Sequence, residues 1–311
     1  MKFEGSKIMK EAFFKGKLVP FSEAKIGVMT HAFNYGTGVF EGIRGYWNPE
    51  KKQMYLFRLS EHYERLERSC KILKISLKYS ADELCKITID LAKHNGYKED
   101  VYIRPLAYKS SEVIGLGLTG LDDDLTIFLA PFGDYLDVSG GIRVCTSTWW
   151  RIEDNCIPAR AKITGAYVNS SLAKAEALEN GFAEALMFSS DGHLSEGTGE
   201  NAFIMRHGKL ITPPFSDNIL EGITRDCVLE LIKKELGIEV VERSIDRTEL
   251  YIADEMFLCG TGAQISPVVE IDRRLVGDGK VGQVTKKLQK IYFDAVKGNN
   301  PKYSSWLTPV Y

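Results

Sequence analysis

The stretch Arg160-Ala161-Lys162-Ile163-Thr164-Gly165-Ala166-Tyr167-Val168-Asn169-Ser170 decides how the rest of the chain is interpreted. Lys162 lies in a turn of small residues that follows Pro158, and the run from 168 to 180 is helix-like. A lysine confined in a turn loses hydration, which favours the neutral amine that forms Schiff bases. Because most of the 40 lysines and arginines should be solvated surface charges, the other motifs must decide whether Lys162 is catalytic.

Composition and charge limit the class of protein. The 311 residues, 44% hydrophobic and 26% charged, are typical of a soluble globular protein with one large or two medium domains. A net charge of −2 without a basic stripe argues against a nucleic-acid partner. No apolar run approaches the roughly 20 residues that span a bilayer, and residues 1–11 lack the apolar core of a secretory signal. Six scattered cysteines without a C-x-x-C pair favour a cytoplasmic setting.

A stretch rich in helix and strand breakers divides the chain. Residues 131–141 contain one proline and three glycines and lie between two predicted strands. We therefore predict a two-domain α/β fold, with an N-terminal domain over 1–130, an interdomain loop over 131–141 and a C-terminal domain over 142–311. In this division the Lys162 segment opens the second domain.

Two predicted helices in the first domain have recognisable starts. Ser60 is the expected N-cap of a helix that continues to about Ile75 and includes Arg65, a solvated charge by default. Ser80 and Glu83 form a capping-box pattern at the start of the next helix.

Two further stretches of the first domain could line a cavity. Residues 31–46 mix aromatic residues with four glycines, which fits either a cavity wall or a glycine-rich hairpin with a packed aromatic cluster. Tyr102 and Arg104 lie on one side of a predicted strand, because strand side chains repeat every two residues. Together they could bind a carboxylate, or they could simply face solvent at a sheet margin.

A literal G-x-G-x-x-G match, Gly115 to Gly120, does not indicate a dinucleotide site. The motif requires a helix after it, whereas three aspartates and a predicted strand over Leu125 to Ala130 follow here. We expect a flexible loop.

The second domain contributes an acid, a helix start and a small turn. Glu196 follows Lys162 by 196 − 162 = 34 residues, enough for a helix and a returning strand. Gly222 precedes a predicted helix whose first N–H groups could bind a phosphate, as any helix start can. A turn of small residues, Gly260 to Ala263, follows a buried strand. The five histidines lack the spacing of metal ligands, so no metal site is expected.

A lysine, a tyrosine, acids, arginines and a phosphate-binding helix start are the parts of a pyridoxal phosphate site. At this point the sequence resembles the branched-chain amino acid aminotransferases, which are fold-type IV (class IV) pyridoxal-phosphate enzymes. The resemblance implies a smaller N-terminal α/β domain and a larger C-terminal domain joined by an interdomain loop. The stretches that match, in the family's order, are residues 35–44, 61–66, 102–105, 161–170, 195–201, 222–225 and 260–265.

The resemblance implies pyridoxal phosphate as cofactor and a role for each matched residue. Lys162 would hold the cofactor as a Schiff base and then move the α-proton of the substrate. Glu196 would keep the pyridine nitrogen protonated, and Tyr167 would hydrogen-bond the phenolic oxygen. The phosphate would be bound by Arg65, by the backbone N–H groups of Ile223 and Thr224, and by the Thr261 hydroxyl.

A second group of residues would bind the substrates. Tyr102 would hold the α-carboxylate together with the turn, and Arg104 would help to accept the distal carboxylate of glutamate. Residues expected to line the substrate side are Tyr35, Phe40, Gly42, Arg44, Tyr102 and Arg104, with Thr261, Gly262 and Ala263 of the turn. Gly262, Gln264 and Ala166 depart from residues common in the family, which leaves the fine substrate preference open.

The activity implied is transfer of the amino group of L-leucine, L-isoleucine or L-valine to 2-oxoglutarate, giving the branched 2-oxo acid and L-glutamate. The alternatives are a D-amino acid aminotransferase or an aminodeoxychorismate lyase of the same fold and, more remotely, a non-enzymatic nucleotide- or ligand-binding protein. The Tyr102–Arg104 strand and residues 35–44 favour the branched-chain type. Because this fold completes its active site with loops of a neighbouring subunit, we expect a homodimer or a higher homo-oligomer.

Overall fold

The computed structural model describes residues 10–133 and 135–311. The chain divides into two compact units. The first comprises residues 10–133, Ala161–Gly165 and Asp294–Tyr311, and the second comprises residues 135–160 and Ala166–Phe293. This division differs from the predicted domain boundaries in two segments, since the Lys162 turn and the end of the chain group with the first unit.

Runs of consecutive strands are separated by helices along the chain. Those before residue 134 are β1 (Glu11–Phe14), β2 (Lys17–Pro20), α1 (His31–Tyr35), β3 (Gly38–Phe40), β4 (Ile43–Asn48), β5 (Gln53–Phe57), α2 (Leu59–Ile72), α3 (Ala81–Asn95), β6 (Val101–Lys109) and β7 (Asp123–Pro131). Those after it are β8 (Ile142–Thr146), α4 (Tyr167–Glu179), β9 (Glu184–Phe188), β10 (Leu194–Gly197), β11 (Asn201–Arg206), β12 (Lys209–Thr212), α5 (Ile223–Leu231), β13 (Val240–Glu242), α6 (Arg247–Leu250), β14 (Glu255–Gly260), β15 (Gln264–Ile271), β16 (Arg274–Leu275), α7 (Gln283–Val296) and β17 (Leu307–Pro309).

Short helical turns supplement these elements. They are the 3₁₀ turns Phe21–Glu23, Thr164–Ala166, Phe215–Asp217 and Pro301–Trp306, and the π turn Ile232–Leu236 that extends α5.

The first unit is built on an antiparallel sheet in the order β17-β5-β4-β6-β7-β1-β2, with β3 paired to β6. In β6 the side chains of Val101, Ile103 and Pro105 are buried, whereas Tyr102 and Arg104 on the opposite side are half-buried. This alternation is what a strand with one core face requires. Consequently Tyr102 and Arg104 share a face, as predicted.

Helices α2 and α3 pack against each other in the first unit, and their starts differ in chemistry. Helix α3 begins with the predicted capping box, since the Ser80 hydroxyl accepts from the Glu83 N–H and the Glu83 carboxylate accepts from the Ser80 N–H. Helix α2 begins two residues earlier than predicted, because Arg58 in a left-handed conformation is its N-cap. The prediction of Ser60 as the cap is therefore wrong.

The second unit contains a mixed sheet in the order β10-β9-β8-β15-β14-β11-β12-β13, with β16 paired to β15. Its neighbours are antiparallel except for β8 with β9, β8 with β15, and β12 with β13. Apolar side chains of these strands form one core cluster, to which Leu186, Ile204, Leu258 and Val268 belong. Ala173 and Ala177 of α4 pack on Ala185 and Met187 of β9 in a second, smaller cluster.

Within residues 10–133 and 135–311, no helix combines the length and the apolar character needed to cross a membrane. Nor do these residues contain a group of three or more His, Cys, Asp and Glu side chains arranged to hold a metal ion.

Candidate active site

The lysine-bearing segment is attached to β3 through its main chain. The Phe40 N–H donates to the Lys162 carbonyl oxygen at 3.0 Å, and Val39 forms an antiparallel bridge with Ile163. The Lys162 side chain is half-buried, and its Nζ lies 5.0 Å from the centroid of the Phe40 ring. The backbone thus fixes the position of this lysine independently of its amine.

Two glycines allow the segment to approach so closely. Gly36 has a φ of +67°, and a Cβ atom there would lie 2.8 Å from the Gly165 Cα. The Gly165 N–H donates to the Gly36 carbonyl at 3.2 Å, and the Thr164 hydroxyl lies 2.8 Å from the same oxygen. No other residue type fits at position 36, since a side chain would meet both the left-handed conformation and the facing backbone.

Tyr102, Arg104, Phe40 and Gly42 form a polar and aromatic patch in the first unit. The Arg104 Nη2 donates to the Tyr102 hydroxyl at 2.9 Å, and the guanidinium carbon lies 4.4 Å from the centroid of the Phe40 ring. A Cβ on Gly42 would lie 2.2 Å from the Tyr102 hydroxyl. Among the described residues, the buried Nε of Arg104 has no hydrogen-bond partner, so this guanidinium retains a donor for an anionic ligand.

Arg44 and Tyr35, also expected on the substrate side, contact loops of the first unit. The Arg44 side chain is buried, and its Nη2 donates to the carbonyl oxygens of Phe132 at 3.1 Å and Gly133 at 2.9 Å. The Tyr35 hydroxyl accepts from the Gly115 N–H at 3.3 Å. Both residues therefore hold loop backbone in place. Residues 115–120 are a loop followed by β7, as predicted.

Arg65 belongs to a buried trio on α2 and the end of β3. Its Nε and Nη2 donate to the two oxygens of Glu41, each at 2.7 Å, and His62 Nδ1 lies 2.7 Å from Glu41 Oε2. Burial favours the neutral acid, yet the charge and hydrogen bonds of Arg65 and the bond from His62 hold the pKa of Glu41 far below its ordinary value. Burial lowers the pKa of His62, which therefore donates as a neutral imidazole.

Glu196 is the central acid of the second unit. It lies on β10 and is buried, and its carboxylate accepts from Arg151 Nη2 at 2.6 Å, from Asn201 Nδ2 at 3.0 Å and from the Leu220 N–H at 3.1 Å. The pairing of β10 with β9 shifts register between Leu194 and Glu196. These three donors hold the Glu196 carboxylate in one orientation.

The start of α5 lies next to this acid. Asn201 Nδ2 also donates to the Leu220 carbonyl at 3.0 Å, and a Cβ on Gly222 would lie 2.0 Å from Asn201 Oδ1. Gly222 is the N-cap of α5 and provides no side-chain acceptor for the first turn, where Ile223 and Thr224 are buried. The second unit thus brings together Glu196 and the predicted phosphate-binding helix start.

The other predicted residues of the second unit lie at element ends. Tyr167 is the first residue of α4 and is half-buried. The turn that joins β14 to β15 consists of Thr261, Gly262 and Ala263. A Cβ added at Gly262 would lie 3.9 Å from the Tyr135 ring. The turn thus lies at one end of the second sheet.

Two further acids, Glu184 and Glu200, are buried in this unit. Lys174 Nζ lies 2.6 Å from Glu184 Oε2, and the Gly199 N–H donates to Glu200 at 3.0 Å. Burial and the neighbouring Glu184 charge raise the pKa of Glu200 to about 8. Glu200 is therefore a neutral acid at pH 7, whereas Glu196 forms an ion pair with Arg151.

Sequence reasoning missed Glu41, His62 and Arg151, which hold the predicted residues. His62 and Arg65 are three apart and so share a helical face, a signal that could have linked them. Glu41 was within the aromatic stretch but had no visible partner. Arg151 precedes Glu196 by 196 − 151 = 45 residues and follows no motif, so only the folded chain shows their contact.

Comparison with known proteins identifies the family. A family model described as amino-transferase class IV matches residues 38–271. A probable branched-chain-amino-acid aminotransferase of Aquifex aeolicus is 52% identical over 303 residues, which are 97% of each chain.

Two solved structures have the same fold throughout. The branched-chain aminotransferase of Thermoproteus uzoniensis with norvaline superposes with a TM-score of 0.93 at 46% identity, covering 97% of this chain and 100% of that one. The branched-chain amino acid aminotransferase of Thermobaculum terrenum in its PLP form gives a TM-score of 0.93 at 41% identity, covering 97% and 99%. The predicted family and fold class are confirmed: the chain belongs to the class IV aminotransferases.

Proposed function

We propose that this chain is a pyridoxal-phosphate-dependent branched-chain amino acid aminotransferase. It transfers the amino group of L-leucine, L-isoleucine or L-valine to 2-oxoglutarate and releases the branched 2-oxo acid and L-glutamate. The observation that carries the proposal is Lys162, a half-buried lysine fixed on β3 by the Phe40 N–H, in a chain with 52% identity to a relative of that name.

The residues of each unit fit this cofactor. The first unit supplies a lysine amine beside an aromatic ring, and the second supplies a buried carboxylate, Glu196, in a fixed orientation. The first turn of α5 follows a glycine cap, so a phosphate can accept from its N–H groups. When bound, pyridoxal phosphate supplies a conjugated ring that takes up the electron pair of the broken α-C–H bond.

The roles proposed for the cofactor-binding residues follow from their chemistry. Lys162 Nζ would hold the cofactor and would accept and return the α-proton of the substrate. Glu196 would stabilise a proton on the ring nitrogen, and the Tyr167 hydroxyl would donate to the phenolic oxygen. The groups proposed for the phosphate are the Arg65 guanidinium, the Ile223 and Thr224 N–H groups and the Thr261 hydroxyl.

The substrate side must accept two unlike side chains. We propose that Tyr102 and the turn of Thr261, Gly262 and Ala263 bind the α-carboxylate. The Nε of Arg104, which has no partner among the described residues, is the donor we assign to the distal carboxylate of glutamate. Phe40 and Gly42 provide the apolar wall, while Tyr35 and Arg44 act through the loops that they hold.

We also propose that the working form is a homodimer or a higher homo-oligomer. The first unit exposes several large apolar side chains near α1 and in the loop before β7, of which the most exposed are Val28 (80%), Phe33 (68%), Ile114 (86%) and Leu116 (81%). Apolar side chains this exposed suit a surface that a second copy covers. A fully active species that sediments strictly as a monomer would refute this.

A cytoplasmic location is proposed on the chemistry of the thiols. Among the described residues, none of the six cysteines forms a disulfide, and burial raises the pKa of Cys259 and Cys70 well above the ordinary value. Cysteines that stay in the thiol form fit a reducing compartment.

The decisive experiment is a visible absorption spectrum of the purified protein before and after addition of L-leucine. We expect a yellow band that fades when L-leucine is added and recovers with 2-oxoglutarate. A yellow protein that responds to D-alanine but not to L-leucine would instead support the D-amino acid aminotransferase. A protein that stays colourless with added pyridoxal phosphate would overturn the role of Lys162.

A further inference from the structure

Glu41 is a completely buried carboxylate with three donors. Both of its oxygens are engaged by Arg65, at 2.7 Å each, and Oε2 is also 2.7 Å from His62 Nδ1. Its side chain is 0% exposed, and those of His62 and Arg65 are 2% and 5% exposed. The trio is therefore isolated from solvent, and each donor lies 2.7 Å from a Glu41 oxygen.

The fold fixes all three side chains rigidly. His62 and Arg65 are three residues apart on α2 and so project from one face of the helix. Glu41 follows β3 directly, and its N–H donates to the Pro105 carbonyl at 2.9 Å. The preceding residue, Phe40, binds the Lys162 carbonyl, so Glu41 is one residue from the attachment of the lysine segment.

The energetics argue against a purely stabilising role. A buried ion pair loses much of its Coulombic attraction to desolvation, and apolar residues of similar volume are often at least as stable. What a two-point contact through Nε and Nη2 does provide is a fixed guanidinium plane. The neutral His62 adds a hydrogen bond without adding a second positive charge.

We propose that Glu41 and His62 are positioning residues that orient the Arg65 guanidinium toward the phosphate group of the cofactor. The inference rests on the proposed function, because it takes Arg65 as a phosphate ligand. It predicts that removing the Glu41 charge weakens binding of the phosphate and leaves recognition of the pyridine ring unchanged.

The test compares two ligands on the cofactor-free protein. Pyridoxal phosphate and pyridoxal both react with the lysine, but only the first carries the phosphate. We expect Glu41→Gln to raise the dissociation constant for pyridoxal phosphate by about tenfold or more, the loss of one charge-assisted hydrogen bond, and to change that for pyridoxal by less than about twofold. Both constants come from spectroscopic titration, without turnover.

Glu61→Gln is the matched control, since Glu61 pairs with Arg58 at 2.8 Å on the same helix but is far more exposed. It should leave both constants unchanged. If Glu41→Gln does not fold, His62→Gln serves instead, with an expected increase of about threefold for pyridoxal phosphate alone.

Three results would overturn the inference. Equal loss of both ligands in Glu41→Gln would mean general damage to the site, and unchanged binding of both would mean that Arg65 needs no support. If the wild-type protein binds neither ligand, the proposed function itself fails, and the inference fails with it.

Discussion

At the scale of single residues, Lys162 is held by its backbone. Since the Phe40 N–H donates to the Lys162 carbonyl, Lys162→Ala keeps the segment on β3. We expect a protein with the wild-type circular dichroism spectrum and a loss of transamination of about a thousandfold or more. Lys86→Ala, at an exposed lysine of α3, should be fully active. Normal turnover in the Lys162 variant would refute the assignment.

Gly42 is expected to be required for the position of the Tyr102 hydroxyl. An added Cβ would lie 2.2 Å from that hydroxyl, so Gly42→Ala must displace the phenol from its contact with Arg104. We expect the KM for L-leucine to rise by about tenfold, equivalent to about 1.4 kcal/mol of binding free energy, with a smaller change in kcat. Steady-state kinetics measures both constants.

Gly117→Ala is the control for this substitution, because no described atom lies within 4 Å of a Cβ placed there. It should leave KM unchanged. An unaltered KM in a folded Gly42→Ala protein would exclude Tyr102 from the substrate side.

The residues predicted from sequence were those that carry motifs. Lys162 and Glu196 lie in distinctive local stretches, and the strand period placed Tyr102 beside Arg104 correctly. Glu41, which pairs with Arg65, and Arg151, which pairs with Glu196, were missed because an ion pair between distant segments leaves no local pattern.

At the scale of elements, the two helix starts allow a direct comparison. Ser80 caps α3 with a complete capping box, whereas Ser60 lies within α2 and only approaches Glu64 at 3.4 Å. We expect Ser80→Ala to lower the free energy of unfolding by about 1 kcal/mol and Ser60→Ala to change it by less than about 0.5 kcal/mol. Urea denaturation would measure both, and the reverse order would contradict the assigned caps.

The same comparison shows why one helix start was predictable. A serine followed three residues later by a glutamate satisfies two N–H groups reciprocally, and this pattern is visible in sequence. The start of α2 depends on Arg58 in a left-handed conformation, with its N–H bound to the Trp306 carbonyl at 2.7 Å. A contact between residues 58 and 306 cannot be inferred from local propensity.

At the scale of the whole molecule, Glu200 should make stability depend on pH. Its pKa of about 8 lies above the ordinary 4.5, so between these values the folded state holds a proton that the unfolded state has lost. Stability from this group is therefore greatest at acidic pH and falls as the pH rises to about 8, by up to about 1.4 kcal/mol per pH unit.

Glu200→Gln should remove this dependence, because the amide mimics the protonated acid. We expect the denaturation midpoint of the variant to be flatter from about pH 5 to pH 8 and to exceed that of the wild type at about pH 8. Glu50→Gln, at an exposed acid, should retain the wild-type profile. Parallel curves for wild type and Glu200→Gln would contradict the shifted pKa.

The overall architecture was predictable as a class but not in its connections. The breaker-rich stretch 131–141 between two predicted strands indicated a division into two domains. The family resemblance indicated that the fold is that of the fold-type IV enzymes. Which segments return to the first unit was not predictable, because the pairing of β17 with β5 joins short strands 250 residues apart (307 − 57).

That pairing has a consequence for synthesis on the ribosome. All strands of the second sheet lie within residues 142–275, so this sheet can close while the first still lacks its edge strand β17. At about 5–20 residues per second, translation of the intervening 250 residues takes roughly 10–50 s. Throughout that interval β5 presents an unpaired edge to other nascent chains. The part of the protein that is translated first is thus completed last.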